Sequence, residues 1–200
     1  MNWLTTDLHQ LLASLQQALH AAPANPADPF RTAAFITAAG PQPTARTVVL
    51  RRTDPDTRQL FFHTDTRSAK LRELAANPRV TWLFYHPLAA IQIRAEGTAA
   101  PLPNDASIRA AWLATPAPNR LNYCTTLPPG SSLEHPDASL PAALRQTGPT
   151  LQETEFGWPN FTIVATTVTR FEWLLLQPRG ARRARFTWEN SGWTSQWLVP

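Results

Sequence analysis

Residues 44–97 read TARTVVLRRTDPDTRQLFFHTDTRSAKLRELAANPRVTWLFYHPLAAIQIRAEG, and the reading of this stretch decides the fold. A β-branched run over 46–52 ends in the acidic turn 54–57, and 59–64 returns as a strand rich in aromatics. The polar loop T-D-T-R-S-A-K then opens a short helix over 68–76 that stops at Asn77-Pro78. Residues 80–85 and 90–99 run apolar or alternate, as adjacent strands do. Arginines, hydroxyls and the chain's one lysine, Lys70, therefore collect where a sheet hands over to a helix start. Backbone N–H groups and the helix dipole favour an oxyanion at such a place, so the stretch reads as an anion cradle beside a barrel wall.

Upstream, residues 32–38 (TAAFITA) form a strand that turns at 40–43 and pairs with 46–52 as a hairpin. Before it, Leu4, Leu8, Leu11, Leu15 and Leu19 recur at helical spacing until Pro23 and Pro26. Such a stripe serves packing against the protein's own core. Downstream, Asn104 is expected to cap a helix over 105–113, which Pro116 and Pro118 end. Residues 115–159 are rich in Pro, Ser, Thr and Gly, with helical character only at 140–146, a functional or interface excursion more than a linker. Residues 161–176, 183–188 and 193–199 close the chain as three strands, with turns at 178–180 and 190–192. The expected architecture is mainly β (α+β): one domain over 1–200, an antiparallel barrel with flanking helices, an N-terminal helix within 1–22 and the long excursion at 115–159.

Composition prunes the function classes. Two hundred residues with 43% hydrophobic and 16% charged content suit one globular domain with a real core. The net charge of +4 comes from scattered arginines, 17 of the 18 basic residues, without the basic stripe that a nucleic-acid surface needs. A single cysteine, Cys124, permits no intramolecular disulfide and suits a reducing compartment, so the cytoplasm is expected. The N-terminus has no basic region or unbroken apolar run, so neither a leader peptide nor a membrane span is expected. No G-x-G-x-x-G, P-loop, H-E-x-x-H or G-x-S-x-G occurs, and the five histidines are spread too far apart to suggest a metal site.

What remains is Arg46, Arg51, His63, Thr64, Ser68, Lys70 and Arg67, all beside one hairpin and one helix start. Guanidinium forks, hydroxyls at a helix N-terminus and one ammonium suit a phosphate monoester. Strict alternation sends Arg46 and Arg51 to opposite faces, which a bulge or a site shared between two subunits would reconcile. The bland alternative is a hydrated sheet edge.

The run R-T-V-V-L-R, then H-T-D-T-R-S-A-K, N-P-R-V, F-Y and I-Q-I-R-A-E-G, with R-R-A-R-F and W-L-V-P near the end, resembles the pyridoxamine 5′-phosphate oxidase family of FMN-binding split barrels. The likeness covers about residues 30–100 and 160–200. It implies FMN as cofactor and a homodimer with the flavin between subunits. It also implies cofactor contacts from Arg46, from the strand Val48, Val49, Leu50 and Arg51, from His63, Thr64, Ser68 and Lys70, from Gln92, and from Arg185. The implied activity is flavin hydride transfer on an unidentified small molecule, with no catalytic side chain assigned. A flavin-storing or flavin-sensing protein, a deazaflavin or haem protein of the same barrel, and a purely structural dimer are the alternatives. Departures from the pattern are Ala69 in place of a second basic residue, Leu174 near an aromatic position, and Ala181-Arg182-Arg183 in place of R-L-H. Together with 109–120 they make pyridoxamine phosphate itself doubtful as substrate.

Overall fold

The computed structural model describes residues 1–145, 148–178 and 180–200. The first helix, α1 (Leu8–Ala21), starts later than the leucine stripe suggests. Asp7 is its N-cap and accepts from His9 N at 2.8 Å and Gln10 N at 3.2 Å, which leaves Leu4 outside the helix and exposed. Leu11, Leu15 and Leu19 are buried against the barrel.

Strands β1 (Thr32–Thr37) and β2 (Thr44–Val49) form the expected hairpin. The run 46–52 is not one strand. At Leu50 the chain leaves β1: Leu50 N donates to Arg31 O at 2.8 Å and Arg51 N to Phe61 O at 2.8 Å. It restarts as β3 (Arg52–Asp54), paired with β4 (Gln59–Asp65). Helix α2 (Ala69–Ala76) follows, then β5 (Arg79–His86) and β6 (Ile91–Pro101). The sheet order is β2-β1-β5-β6-β7-β4-β3, with β7 spanning Phe161–Leu175. Because the break at Leu50–Arg51 carries the chain from β2 to β3, the two ends of this path meet and the sheet curls into a barrel.

The long β7 is where the barrel splits. Its first half pairs β4 through Thr167, and from Arg170 it pairs β8 (Arg182–Glu189), which in turn pairs β9 (Gly192–Leu198). Between the halves the register with β6 shifts at Glu96/Gly97. Gly97 is required there, because a Cβ would lie 2.0 Å from Thr167 O.

Phe35, Phe62, Trp82 and Phe84 pack ring to ring in the barrel, and Trp82 Nε1 donates to Thr166 Oγ1 at 3.0 Å. Burial of each aromatic contributes about 1.5–3 kcal/mol. A second apolar cluster lies on the other face of β4 and β7: Phe61, Phe161 and Ile163 covered by Ile108 and Trp112 of α3 (Ala106–Leu113) and by Tyr123. Asp105, not Asn104, caps α3, accepting from Ser107 N at 2.8 Å.

The 115–159 excursion is built around one buried side chain. Arg120, 1% exposed, ends the four-residue helix α4 (Ala117–Arg120) and donates to Thr115 O and Trp112 O at 2.9 Å each, while stacking over the Trp112 ring. It thereby satisfies the Thr115 carbonyl just beyond α3 and adds a donor to that of Trp112, which also accepts from Thr115 N at 2.9 Å. Cys124 is fully buried against Gly157. The expected helix at 140–146 is reduced to a 3-10 turn at Ala142–Leu144; Gln146, like Arg179 of the 178–180 turn, lies outside the described residues.

Candidate functional site

Period-2 alternation along β4 sorts the candidate residues into two groups. Thr64 shares a face with Leu60 and Phe62 of the barrel core, whereas His63 shares the other face with Phe61. The same alternation along β2 and its extension separates Arg46 from Arg51, as the sequence spacing requires.

On the barrel side, Arg46, Thr64, Ser68 and Lys70 converge at the mouth that α2 covers. Lys70 Nζ donates to Thr64 Oγ1 at 2.8 Å, and the Thr64 and Ser68 hydroxyls are 3.4 Å apart. Ser68 is the N-cap residue of α2, yet its hydroxyl makes no capping bond to the helix. It turns toward Thr64, leaving the first N–H groups of α2 uncapped. Burial lowers the Lys70 pKa, and the nearby Arg46 guanidinium lowers it further.

Arg46 is braced by a residue that the sequence reading missed. Its guanidinium contacts Glu73 Oε2 at 2.6 Å, Thr37 Oγ1 at 2.7 Å and Thr44 Oγ1 at 2.7 Å. Burial alone would raise the Glu73 carboxyl, but hydrogen bonds from Thr37, Thr44 and Arg46 hold its pKa below the ordinary value. The i, i+3 spacing of Lys70 and Glu73 on α2 was the available signal.

On the other face, Arg51 and His63 line a cavity of about 320 Å³ with Phe61, Ile163, Asn119 and Tyr123. Burial lowers the His63 pKa to about 4, with Arg51 contributing, and burial pushes Tyr123 up to about 12. Both are neutral at pH 7. A stitch joins the two faces: Arg67 grips Asp65 at 2.7 Å and donates to Thr125 O and Thr125 Oγ1 at 2.9 Å each, two residues beyond Tyr123.

Gln92 and Arg185 are not brought to either group. Gln92 alternates with the core residues Ile91 and Ile93, so it lies on the outer face of β6, opposite Leu174. Arg185 is on the same outer face, bound to Glu172 at 2.8 Å, and Arg94 and Arg183 hold the same carboxylate at 2.9 and 2.6 Å. Trp173, adjacent to Leu174, points into the core and is fully buried. Val48 and Leu50 are core residues and Val49 is half-buried. Among the described residues their strand pairs with β1 alone, so alternate backbone groups on its other edge have no strand partner there. Gly130 and Ser131 are exposed, Ser131 bonding back to Pro128 O at 2.8 Å. Among the described residues no group of three His, Cys, Asp or Glu could hold a metal ion, and no helix is long and apolar enough to cross a membrane.

Residues 9–102 match the family described as pyridoxamine 5'-phosphate oxidase, FMN-binding domain. A pyridoxine/pyridoxamine 5'-phosphate oxidase from Nocardioides sp. is 31% identical over 176 residues, which cover 84% of this chain and 78% of that protein. The chain belongs to the pyridoxamine 5′-phosphate oxidase family. A second oxidase of that name, from Anaeromyxobacter dehalogenans, is 36% identical over 111 residues; that match covers 55% of this chain and spans about half, 54%, of the relative. Among solved structures, an FMN-binding protein related to pyridoxamine 5'-phosphate oxidase from Nostoc punctiforme superposes with a TM-score of 0.72 at 24% identity, covering 94% of this chain and 96% of that one. PhzG from Burkholderia lata, solved with tetrahydrophenazine-1-carboxylic acid, superposes at 0.67 with 21% identity, covering 96% and 90%. The fold is therefore the split barrel of the family, and its cofactor is FMN. The residues present fit a phosphate monoester: a half-buried ammonium bonded, among the described residues, to one neutral hydroxyl, with a second buried hydroxyl beside it at a helix N-terminus that lacks a side-chain cap.

Proposed function

We propose that the protein is an FMN-dependent oxidoreductase acting on a small molecule, working as a homodimer in the cytoplasm, with residues 1–200 as one domain. The observation that carries this reading is the convergence of Arg46, Thr64, Ser68 and Lys70 at the start of α2. In it, Lys70 and the two hydroxyls hold the FMN phosphate. Arg46, kept in place by Glu73, adds the second positive charge. The unpaired edge of β2 over Val48 and Val49, with Leu50 behind it, offers backbone groups to the ring. Bound there, the flavin would supply hydride transfer at its N5.

Arg51 and His63 then stand on the far side of β4, at the cavity where a substrate would enter. That cavity favours turnover over storage of the flavin, because it leaves about 320 Å³ beside the cofactor residues. Neither His63 nor Tyr123 exchanges a proton readily at pH 7. The cavity residues therefore orient substrate and exclude water, and no side-chain acid or base is assigned. Gln92 and Arg185, on the outer face, reach a flavin only if a second copy supplies them, which is the reason for the dimer in this reading.

Purified protein should be yellow and release one FMN per chain on denaturation, identified by absorption and mass. Colourless protein that takes up no added FMN would sink the proposal. A nicotinamide donor or an amine plus oxygen then tests for turnover, and a flavin that never changes redox state with any donor would leave only storage or sensing.

A further inference from the structure

The loop that joins β4 to α2 carries a charge of the wrong sign for a phosphate. Asp65 directly follows Thr64, is 5% exposed, and exerts an electrostatic influence on both Lys70 and Tyr123. A carboxylate so close to a phosphate monoester repels it, and in a half-buried site that repulsion is screened less than in open water. Among the described residues a single cation pairs with Asp65, and it comes from the same loop. Arg67 donates from Nε to Asp65 Oδ1 at 3.0 Å and from Nη2 to Oδ2 at 2.7 Å, a two-point grip, while its backbone N donates to Oδ1 at 2.7 Å.

The same guanidinium also reaches out of the loop. Nη1 donates to Thr125 O and Nη2 to Thr125 Oγ1, each at 2.9 Å. The Thr125 hydroxyl gives its own proton to Leu127 O at 2.9 Å, which turns a lone pair toward Arg67. Residues 123–125 are fixed in turn from the far end of the excursion. Asn160 Nδ2 donates to Tyr123 O at 2.8 Å, and Gly157 packs so closely that a Cβ there would lie 2.8 Å from Cys124 Sγ. Asn160 O meanwhile accepts from Thr66 N at 2.8 Å. Thr125, early in the 115–159 excursion, and Asn160, just past it, therefore hold adjacent residues of the loop that carries Thr64 and Ser68.

We propose that Arg67 is a positioning residue for the cofactor phosphate: it cancels the Asp65 charge within the loop and makes FMN binding and docking of the excursion support each other. The assignment rests on the reading that Thr64, Ser68 and Lys70 hold the FMN phosphate. A phosphate that orders 64–68 fixes the Arg67 fork, and a fixed fork holds Thr125. By linkage the docked excursion strengthens FMN binding by the factor with which FMN strengthens docking. Lysine would serve the first role without the second, since one ammonium lacks the planar fork that spans a carboxylate and a second acceptor pair.

The test compares FMN with riboflavin, which lacks the phosphate, by fluorescence titration of the flavin-free full chain, and follows amide exchange over 120–127 with and without FMN. In the parent, FMN should slow that exchange by about fivefold or more. Arg67→Ala should weaken FMN about 10- to 100-fold and riboflavin by no more than about threefold, and should abolish the FMN-induced protection. Asp65→Asn combined with Arg67→Ala should recover at least about fivefold of the FMN affinity, because the repelling charge is gone, without restoring the protection. Should Arg67→Ala misfold, Arg67→Lys should hold FMN affinity within about tenfold of the parent and still lose the protection. An unchanged ratio of FMN to riboflavin affinity in Arg67→Ala, a double variant no better than the single one, or parent exchange over 120–127 that ignores FMN each overturns the assignment. Lys70→Met tells this failure from that of the underlying reading: if it weakens FMN while Arg67→Ala does not, Arg67 alone is misassigned, and if neither does, the phosphate site falls with it.

Discussion

Lys70→Met separates a functional lysine from a structural one, because the two roles predict opposite signs. Burial and the neighbouring Arg46 lower the Lys70 pKa, so the charged form is less favourable in the folded chain than in the unfolded one. The sign follows from proton linkage. A lysine with a depressed folded pKa destabilises the fold below that pKa, and the penalty fades as pH rises toward 10.5, the unfolded value. Methionine keeps most of the apolar stem and removes the charge, at the loss of one 2.8 Å bond to Thr64 worth about 1 kcal/mol. The flavin-free protein should therefore lose no more than about 1 kcal/mol at pH 7, and a gain is within the expected range. FMN affinity moves the other way. An ammonium–phosphate contact contributes about 1.5–3 kcal/mol, so Kd should rise roughly 10- to 150-fold. Flavin fluorescence quenching gives the affinity and urea unfolding of the flavin-free form gives the stability. A variant that binds FMN as tightly as the parent while losing several kcal/mol would show that Lys70 is a structural residue, and the phosphate nest would have to be sought elsewhere.

Three further outcomes test the architecture. His63 has a folded pKa near 4 against 6.5 unfolded, so acid protonates the unfolded chain first; stability should fall by roughly 2–3 kcal/mol between pH 6.5 and pH 4.5, and His63→Phe should abolish that part of the slope in urea melts. Arg120→Leu removes the side-chain donor from the Thr115 carbonyl and one of the donors from that of Trp112, which keeps Thr115 N at 2.9 Å, and should cost about 1–3 kcal/mol; amide exchange should speed up over 112–124 while the central barrel strands stay protected. Gly97→Ala forces a methyl into Thr167 O and should destabilise by about 2–4 kcal/mol, measured as a shift in the urea midpoint at constant m-value.

The parts of the site that are local in sequence were readable there. Ser68 and Lys70 sit two residues apart at a helix start, and their convergence with Thr64 follows from the tight turn Thr66–Arg67. The hairpins, the acidic turn and the closing strands were equally legible, since strand alternation and turn residues act over a few positions. The cap at Asp105 was misplaced by one residue because Asn104 and Asp105 have nearly equal propensity; the bonds to Ser107 N and Ile108 N decide between them. The strand over 46–52 was read whole because no Gly or Pro marks its break. What breaks it is a change of partner, from Arg31 on one side to Phe61 on the other, which no window of sequence contains.

The long-range partners were illegible for the same reason, and they carry much of the electrostatics. Glu73 braces Arg46 across 27 positions, Glu172 gathers Arg94, Arg183 and Arg185 from two strands, and Arg120 organises an excursion that reads as proline-rich loop. In each case a carboxylate or carbonyl decides whether an arginine is available to a ligand. Arg185 looks equivalent to Arg51 in the sequence, yet it is held by the Glu172 carboxylate at 2.8 Å, and Arg51 has no carboxylate partner among the described residues. The availability of charge, more than its presence, therefore separates the arginines that tie strands together from the cations that no carboxylate among the described residues engages, Lys70 at the start of α2 among them.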